Sequence, residues 1–112
     1  IERYRSLSNK ANNLFRNLKV TNIFCKHDDG GHGWIDQAPF ERIIVTACAP
    51  EIPNNLIDQL AVNGKMIVPI GEQHTDQILK KITKREGELV IDDLVKVRFV
   101  PLLEGKESKW DH

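Results

Sequence analysis

The stretch RIIVTACAPEIP, from Arg42 to Pro53, decides the fold. Its apolar and β-branched run, Ile43 to Thr46, has no polar alternation, which is typical of a parallel strand buried on both faces. We therefore predict a strand over Phe40 to Ala47, ended by the two prolines that follow. The small residues Ala47 to Ala49 then lie at the carboxyl end of a buried strand, where open α/β sheets bind their ligands.

The flanking sequence predicts alternating helices and strands. Apolar residues recur at three- and four-residue steps from Tyr4 to Leu18, the period of an amphipathic helix. Short apolar runs predict strands at Val20–Lys26 and Lys65–Ile70. Between them, Asn54–Leu60 predicts a helix that Gly64 closes in a left-handed cap.

The last third of the chain has a different pattern. Gln77–Lys84 and Glu88–Val100 alternate apolar and polar residues around Glu86-Gly87, which predicts an antiparallel hairpin. Strands and helices that alternate and then close with a hairpin are typical of the second half of a doubly wound α/β sheet.

Composition argues against several classes of protein. The 112 residues suit one small domain or a piece of one, and the 16 basic and 16 acidic side chains cancel, which disfavours nucleic acid as a partner. No apolar run has the roughly 20 residues of a membrane span, so we expect no membrane partner and a cytoplasmic protein. Cys25 and Cys48 lie in apolar strand patterns and are expected to be buried free thiols.

Glu2 stands where a strand would pass into the helix that begins near Tyr4. In nucleotide-binding α/β folds a carboxylate at this position accepts hydrogen bonds from both ribose hydroxyls. A carboxylate before a helix is also stabilised by the helix dipole alone. Both interpretations of Glu2 stay open on spacing.

The segment HDDGGH, His27 to His32, collects two imidazoles and two carboxylates in a glycine-rich turn. Three interpretations are open. A metal site is one, although no HxxxH or HExxH spacing supports it. Asp28 or Asp29 could instead bond nearby backbone amides in an Asx-type turn. A carboxylate here could also accept a hydrogen bond from an exocyclic amino group of a ligand that the glycines allow to approach closely.

Three segments together resemble a known family: RIIVTACAPEIPNNLIDQLAVNGKMIVPIG, DDGGHGW and VRFVPL. Their order and spacing are similar to those of protein-L-isoaspartate (D-aspartate) O-methyltransferases, and the similarity extends from Ile1 to about Trp110. The resemblance implies a Rossmann-like methyltransferase fold, S-adenosylmethionine as cofactor and isoaspartyl-containing peptides and proteins as partners. It also implies the initiation of protein repair by methylation of isoaspartyl carboxylates.

The resemblance implies roles for individual residues. Glu2 matches the ribose-binding acid, and Asp29-Gly30 matches a turn whose aspartate lies by the adenine amino group, although Asp28 replaces the first glycine of that turn. Thr46 and Ala47 match the floor of the cofactor cleft. Substrate-binding roles fall to Ala49 and Pro50 and to the carboxyl-terminal segment Val100, Pro101 and Leu102. No catalytic residue and no metal ligand is implied.

The family's glycine-rich first cofactor motif has no counterpart in this sequence. We therefore expect residues 1–112 to be the carboxyl-terminal part of a single methyltransferase domain, inactive alone. Exposed strand edges would then favour self-association. The alternative is a non-catalytic remnant that acts as an interaction or folding module.

Overall fold

The computed structural model describes residues 1–107, so Trp110 and the expected domain end at His112 lie outside the described residues. Among residues 1–107 no helix has the length and apolar character needed to cross a membrane. In chain order the elements are α1 (Arg5–Asn17), 3-10 helices at Gly30–His32 and Ile35–Gln37, β1 (Phe40–Ile44), α2 (Asn54–Gln59), β2 (Leu60–Ile70), β3 (Gln77–Arg85) and β4 (Glu88–Val97).

The chain divides into two compact units. One contains residues 1–30 and the tail that begins at Leu103, and the other runs from Gly31 to Leu102. α1 lies in the first unit, and all four strands and α2 lie in the second.

The second unit is built on one mixed sheet in the order β1-β2-β3-β4. β1 and β2 are parallel and are connected through α2, whereas β2, β3 and β4 pair antiparallel. The hairpin turns at Gly87, whose φ of 79° is in the left-handed region that suits glycine. These features confirm the predicted α/β class and its closing hairpin, although β4 ends at Val97 rather than at Val100.

The core of this unit lies between α2 and one face of the sheet. Met66 and Val68, two residues apart on β2, point to the same face and are fully buried with Ile82 of β3. Leu56 and Ile57 of α2 pack on them. Full burial of each such side chain contributes about 1.5–3 kcal/mol, so α2 is held mainly by packing.

α1 forms where the apolar periodicity predicts it, and its end is well defined. Lys19, with φ 58°, adopts the left-handed conformation just after the helix. The Val20 amide donates to the Phe15 carbonyl at 2.9 Å, and the Lys19 amide donates to the Arg16 carbonyl at 3.1 Å. These two bonds are the Schellman pattern, here with lysine at the position that glycine usually takes.

The predicted strand at Val20–Lys26 is wrong. This segment has no strand ladder, and the nearest pairing is a single parallel bridge between Glu2 and His27. Phe24 is 79% exposed. A strand is stabilised by cross-strand pairs, and among residues 1–107 no neighbouring strand pairs with this segment.

The burial predicted for the RIIVT run is also wrong. β1 ends at Ile44 rather than at Ala47, and Ile44 is 75% exposed. Ile43 and Val45, two residues apart, lie on the face of the core cluster, and Ile44 points to the opposite, exposed face. An apolar run cannot distinguish one covered face from two.

Gly64 does not cap α2, contrary to expectation. α2 ends at Gln59 and the chain enters β2 directly at Leu60. The left-handed residue is Asn63, with φ 69°. Gly64 instead allows a close approach, because a Cβ there would lie 2.8 Å from the Ala61 carbonyl oxygen and 3.1 Å from that of Glu41.

Candidate functional site

The segment Thr46–Ala49 leaves the sheet and then rejoins it. Ile44 is opposite Ile67 in the parallel ladder, and Ala49 bridges Ile70. From Ile44 to Ala49 the chain advances five residues, whereas β2 advances three, so two residues have no partner on β2. Among residues 1–107, neither Thr46 nor Ala47 takes part in strand pairing. Thr46 is exposed and Ala47 is half-buried. The sheet thus presents these two residues at the carboxyl end of β1.

The second half of this segment, Cys48 and Ala49, is closely packed. The Ala49 amide donates to the Pro69 carbonyl at 3.0 Å, and the Gly71 amide donates to the Ala49 carbonyl at 2.9 Å. Ala49 and Cys48 are buried, at 4% and 3% exposure, while Pro50 is exposed. Cys48 therefore fits the prediction of a buried free thiol, but Cys25 is only half-buried.

The predicted substrate residues Val100, Pro101 and Leu102 lie directly beside Cys48. The Cys48 amide donates to the Val100 carbonyl at 2.7 Å, and the Leu102 amide donates to the Cys48 carbonyl at 2.8 Å. This parallel bridge tolerates Pro101, because its two hydrogen bonds join Cys48 to Val100 and Leu102 and need no amide hydrogen from Pro101. The structure thus brings Ala49, Pro50 and residues 100–102 into one region of the second unit.

In the first unit, Glu2 connects two segments. Its amide donates to the Lys26 carbonyl at 2.9 Å, and its carbonyl accepts from the Asp28 amide at 3.0 Å. Its carboxylate accepts from the Tyr4 amide at 3.1 Å, one residue before α1 begins. That contact matches the helix-terminus interpretation. The same side chain also lines a cavity of about 230 Å³ between α1 and residues 23–26.

The two aspartates of the turn have different surroundings. Asp28 accepts from the Asp29 amide at 2.8 Å and pairs with Lys26 at 3.2 Å. These contacts, the backbone amide first, lower the pKa of Asp28 below its ordinary value. Asp29 is only 4% exposed, and its Oδ2 accepts from the Gly105 amide at 2.9 Å. The local Asx-type bond is therefore formed by Asp28, and Gly30 follows Asp29 as the start of a 3-10 turn.

The metal interpretation gains no geometric support from this turn. No group of three or more His, Cys, Asp or Glu side chains is arranged to hold an ion in the chain up to Glu107.

Sequence reasoning missed His27 as a structural residue. Its Nε2 lies 2.9 Å from the carbonyl oxygens of both Arg3 and Glu107. Both neighbours are acceptors, so Nε2 carries the proton and donates. The Arg3 guanidinium also donates to the carbonyls of Glu104 and Gly105, each at 3.4 Å. The tail thus lies against the beginning of the chain, a contact that no local pattern indicates.

Two buried glutamines were also missed. Gln59 Oε1 accepts from the Trp34 amide at 2.8 Å, and its Nε2 donates to the His32 carbonyl at 2.7 Å. Gln77 Oε1 accepts from the Phe99 amide at 2.6 Å. The one signal available in the sequence was a polar residue at a strand position that faces the interior, such as Gln77.

A parallel β-α-β unit, small residues at the carboxyl end of its first strand and an antiparallel closing hairpin define a Rossmann-like α/β protein of the doubly wound class. Comparison with known proteins narrows this class. A model of the protein-L-isoaspartate(D-aspartate) O-methyltransferase family matches residues 1–107. The chain belongs to this family.

Individual relatives support the assignment to this family. The chain is 48% identical over 103 residues to a protein-L-isoaspartate O-methyltransferase of Desulfotalea psychrophila, covering 92% of this chain and 48% of the relative. It resembles, with TM-score 0.74 and 36% identity, a Plasmodium falciparum protein assigned to the same activity and crystallised with S-adenosyl-L-homocysteine, covering 91% of this chain and 50% of the other. A second protein-L-isoaspartate O-methyltransferase structure gives TM-score 0.79 at 26% identity, covering 87% and 31%. The chain spans about half the length of the curated relative that it matches.

Proposed function

We propose that this chain forms the carboxyl-terminal part of a single methyltransferase domain that methylates isoaspartyl carboxylates in damaged proteins, with S-adenosylmethionine as the methyl donor. The observation that carries the proposal is the bridge at Cys48. It places Val100–Leu102 beside Ala49, and these are the residues that the family resemblance assigns to the peptide substrate.

The residues of the first unit fit a nucleoside. Glu2 is half-buried and lines the cavity of about 230 Å³, so its carboxylate is available to ribose hydroxyls at one wall. Asp29 is a buried carboxylate in a turn that continues into Gly30, which suits an exocyclic amino group. In the second unit, Thr46 and Ala47 are excluded from the ladder, and the family resemblance assigns both of them to the cofactor.

The chemistry requires little from the side chains. When bound, the cofactor supplies a methyl group on a sulfonium, which is an excellent leaving group. The isoaspartyl carboxylate is already nucleophilic, so no general base is required, and none is proposed. The residues of this chain act by holding the substrate peptide, because catalysis of this type depends mainly on proximity and alignment.

The test is methyl transfer to an isoaspartyl peptide, with the matching aspartyl peptide as control. The 112-residue chain is assayed alone and together with the part of the Desulfotalea psychrophila relative that it does not cover. We expect transfer to the isoaspartyl peptide only in the mixture. No transfer by the mixture would reject the proposed function, and full activity of the chain alone would reject the proposed division of the domain.

A second function is favoured by the exposed edge strand. In the part of the chain up to Glu107, β1 has a neighbour on only one side, and Ile44 is 75% exposed. A non-catalytic interaction module would therefore present a pairing edge here. Sedimentation distinguishes the two functions: the interaction module should self-associate or bind a partner chain without any methyl transfer. The two free cysteines support a reducing, cytoplasmic location, and the balanced charge supports protein rather than nucleic acid as partner.

A further inference from the structure

The side chain of Gln77 connects three backbone segments at the carboxyl end of the sheet. It is 1% exposed. Its Oε1 accepts from the Phe99 amide at 2.6 Å, and its Nε2 donates to the carbonyls of Phe99 at 3.4 Å and Glu72 at 3.2 Å. Its amide thus binds both backbone groups of Phe99, as a neighbouring strand would.

Phe99 is the residue that leads into Val100–Leu102. Its carbonyl also accepts from the Cys48 thiol at 3.5 Å, and the next residue bonds the Cys48 amide. β4 has already ended at Val97. The ladder therefore does not fix Phe99, and among residues 1–107 the side-chain bonds to its backbone come from Gln77 and Cys48.

Gln77 also contacts Gly71, the residue that bonds Ala49. A Cβ built on Gly71 would lie 3.0 Å from Cγ of Gln77, so the two residues are in close contact, and the Gly71 amide bonds the Ala49 carbonyl. The buried Gln77 side chain therefore packs against Gly71, which bonds Ala49, and donates to Glu72 beside it. It also bonds Phe99, which leads into Val100–Leu102.

We propose that Gln77 is a positioning residue for the peptide substrate: its amide sets the spacing between Ala49 and Val100–Leu102. This rests on the proposed function. Glutamine suits the position because one end must accept from an amide and the other must donate to two carbonyls. Neither a carboxylate nor an apolar side chain can do both.

The test compares three variants of the chain, combined with the complementary part of the relative. Gln77→Leu removes all three bonds, and Gln77→Glu keeps only the acceptor for the Phe99 amide. Thr83→Val is the matched control, because Thr83 is a buried polar residue of the same strand, at 4% exposure, whose backbone pairs with Lys65 and Val90. The measurements are KM for an isoaspartyl peptide, KM for S-adenosylmethionine, kcat, and the rate of Cys48 labelling by a thiol reagent in the chain alone.

We expect both Gln77 variants to raise the peptide KM by roughly tenfold or more, the equivalent of losing one or two buried hydrogen bonds, while KM for S-adenosylmethionine stays within about twofold. Cys48 labelling should accelerate in Gln77→Leu and not in Thr83→Val. Gln77→Glu keeps the test decisive if Gln77→Leu does not fold.

The outcomes separate the two proposals. If the mixture with the unaltered chain is active but the Gln77 variants change both KM values equally, or no more than Thr83→Val does, the positioning role is wrong and the proposed function stands. If the unaltered chain shows no methyl transfer in the mixture, both are overturned.

Discussion

The carboxylate of Asp29 accepts a hydrogen bond, at 2.9 Å, from the backbone amide of Gly105, which lies 76 positions further along the chain. The residue proposed to hold the adenine is therefore also a structural contact of the tail. Because Asp29 is buried and Gly105 is exposed, the bond draws the tail onto a buried carboxylate, and the two roles can be separated by mutating each side.

Asp29→Ala should lower the free energy of unfolding by about 1–3 kcal/mol, since the Gly105 amide loses its acceptor. Gly105→Pro removes the donor from the other side, and it also adds backbone strain, because proline cannot adopt the φ of 75° at Gly105. A double-mutant cycle cancels the strain that is common to both backgrounds and should show that the two effects are coupled. The exposed Asp58→Ala is the control and should change stability by no more than about 0.5 kcal/mol. Additive effects in denaturant titrations would contradict the contact.

The same variants separate the effect of Asp29 on stability from its effect on cofactor binding. Calorimetry with S-adenosyl-L-homocysteine, on the mixture with the complementary part of the relative, should show weaker binding by about 1–3 kcal/mol for Asp29→Ala. Gly105→Pro leaves the carboxylate in place and should bind at least as well as the unaltered chain. Equal affinity of Asp29→Ala and the unaltered chain would reject the adenine role.

Asp28 makes the free energy of unfolding depend on pH in the acid range. The Asp29 amide and Lys26 lower its folded pKa below the ordinary value of 3.8, so its stabilising contribution is present above that value and is lost as the pH falls through the lower, folded pKa. Asp28→Asn should reduce stability at neutral pH and flatten the acid limb of a plot of unfolding free energy against pH. An unchanged acid limb would show that other carboxylates account for it.

Gly33 and Gln59 should behave as a pair. A Cβ on Gly33, where φ is 65°, would lie 2.1 Å from Oε1 of Gln59, so Gly33→Ala must displace the side chain that bonds Trp34 and His32. We expect a loss of about 2–4 kcal/mol in unfolding free energy. Gly87→Ala has a similar φ of 79° but open space around its Cβ, and should cost only about 1–2 kcal/mol. Equal losses would mean that backbone strain alone is responsible.

Lys19→Gly should stabilise the first unit. Lys19 takes the left-handed position after α1, where a side chain costs about 1–2 kcal/mol, so glycine should raise the unfolding free energy by up to about 1 kcal/mol after its extra chain entropy is included. Lys10→Gly, inside α1, should destabilise by a similar amount. Thermal unfolding followed by circular dichroism distinguishes the two directions, and destabilisation by both would reject the left-handed assignment.

The parts of the fold that depend on local pattern were predictable. The period of three and four residues located α1 within one residue at each end, Tyr4–Leu18 against Arg5–Asn17, and alternation around Gly87 gave the hairpin. Val20–Lys26 failed because an apolar run becomes a strand only when a neighbour pairs with it. Gly64 failed because a glycine can be required for a close approach as well as for a left-handed φ.

The site was predictable only in outline. The pattern of small residues after an apolar run indicated the region of Ala49, and only the family resemblance implied Val100–Leu102. The bridge at Cys48 connects positions about fifty residues apart, and no local pattern encodes such a contact. Gln77 has the same limitation, because its importance comes from Phe99, 22 residues later. Long-range hydrogen bonds between a side chain and the backbone are a property of the folded chain.

The parallel bridge at Cys48 also limits aggregation. Val100 and Leu102 direct their bonding groups towards Cys48, so the opposite rim of this segment carries the groups of Pro101, which has a carbonyl but no N–H. A foreign strand that docks on this rim finds no amide donor at Pro101, so a ladder along the rim would be interrupted at that residue. The missing donor at Pro101 is thus a local obstacle to the addition of another chain along this rim.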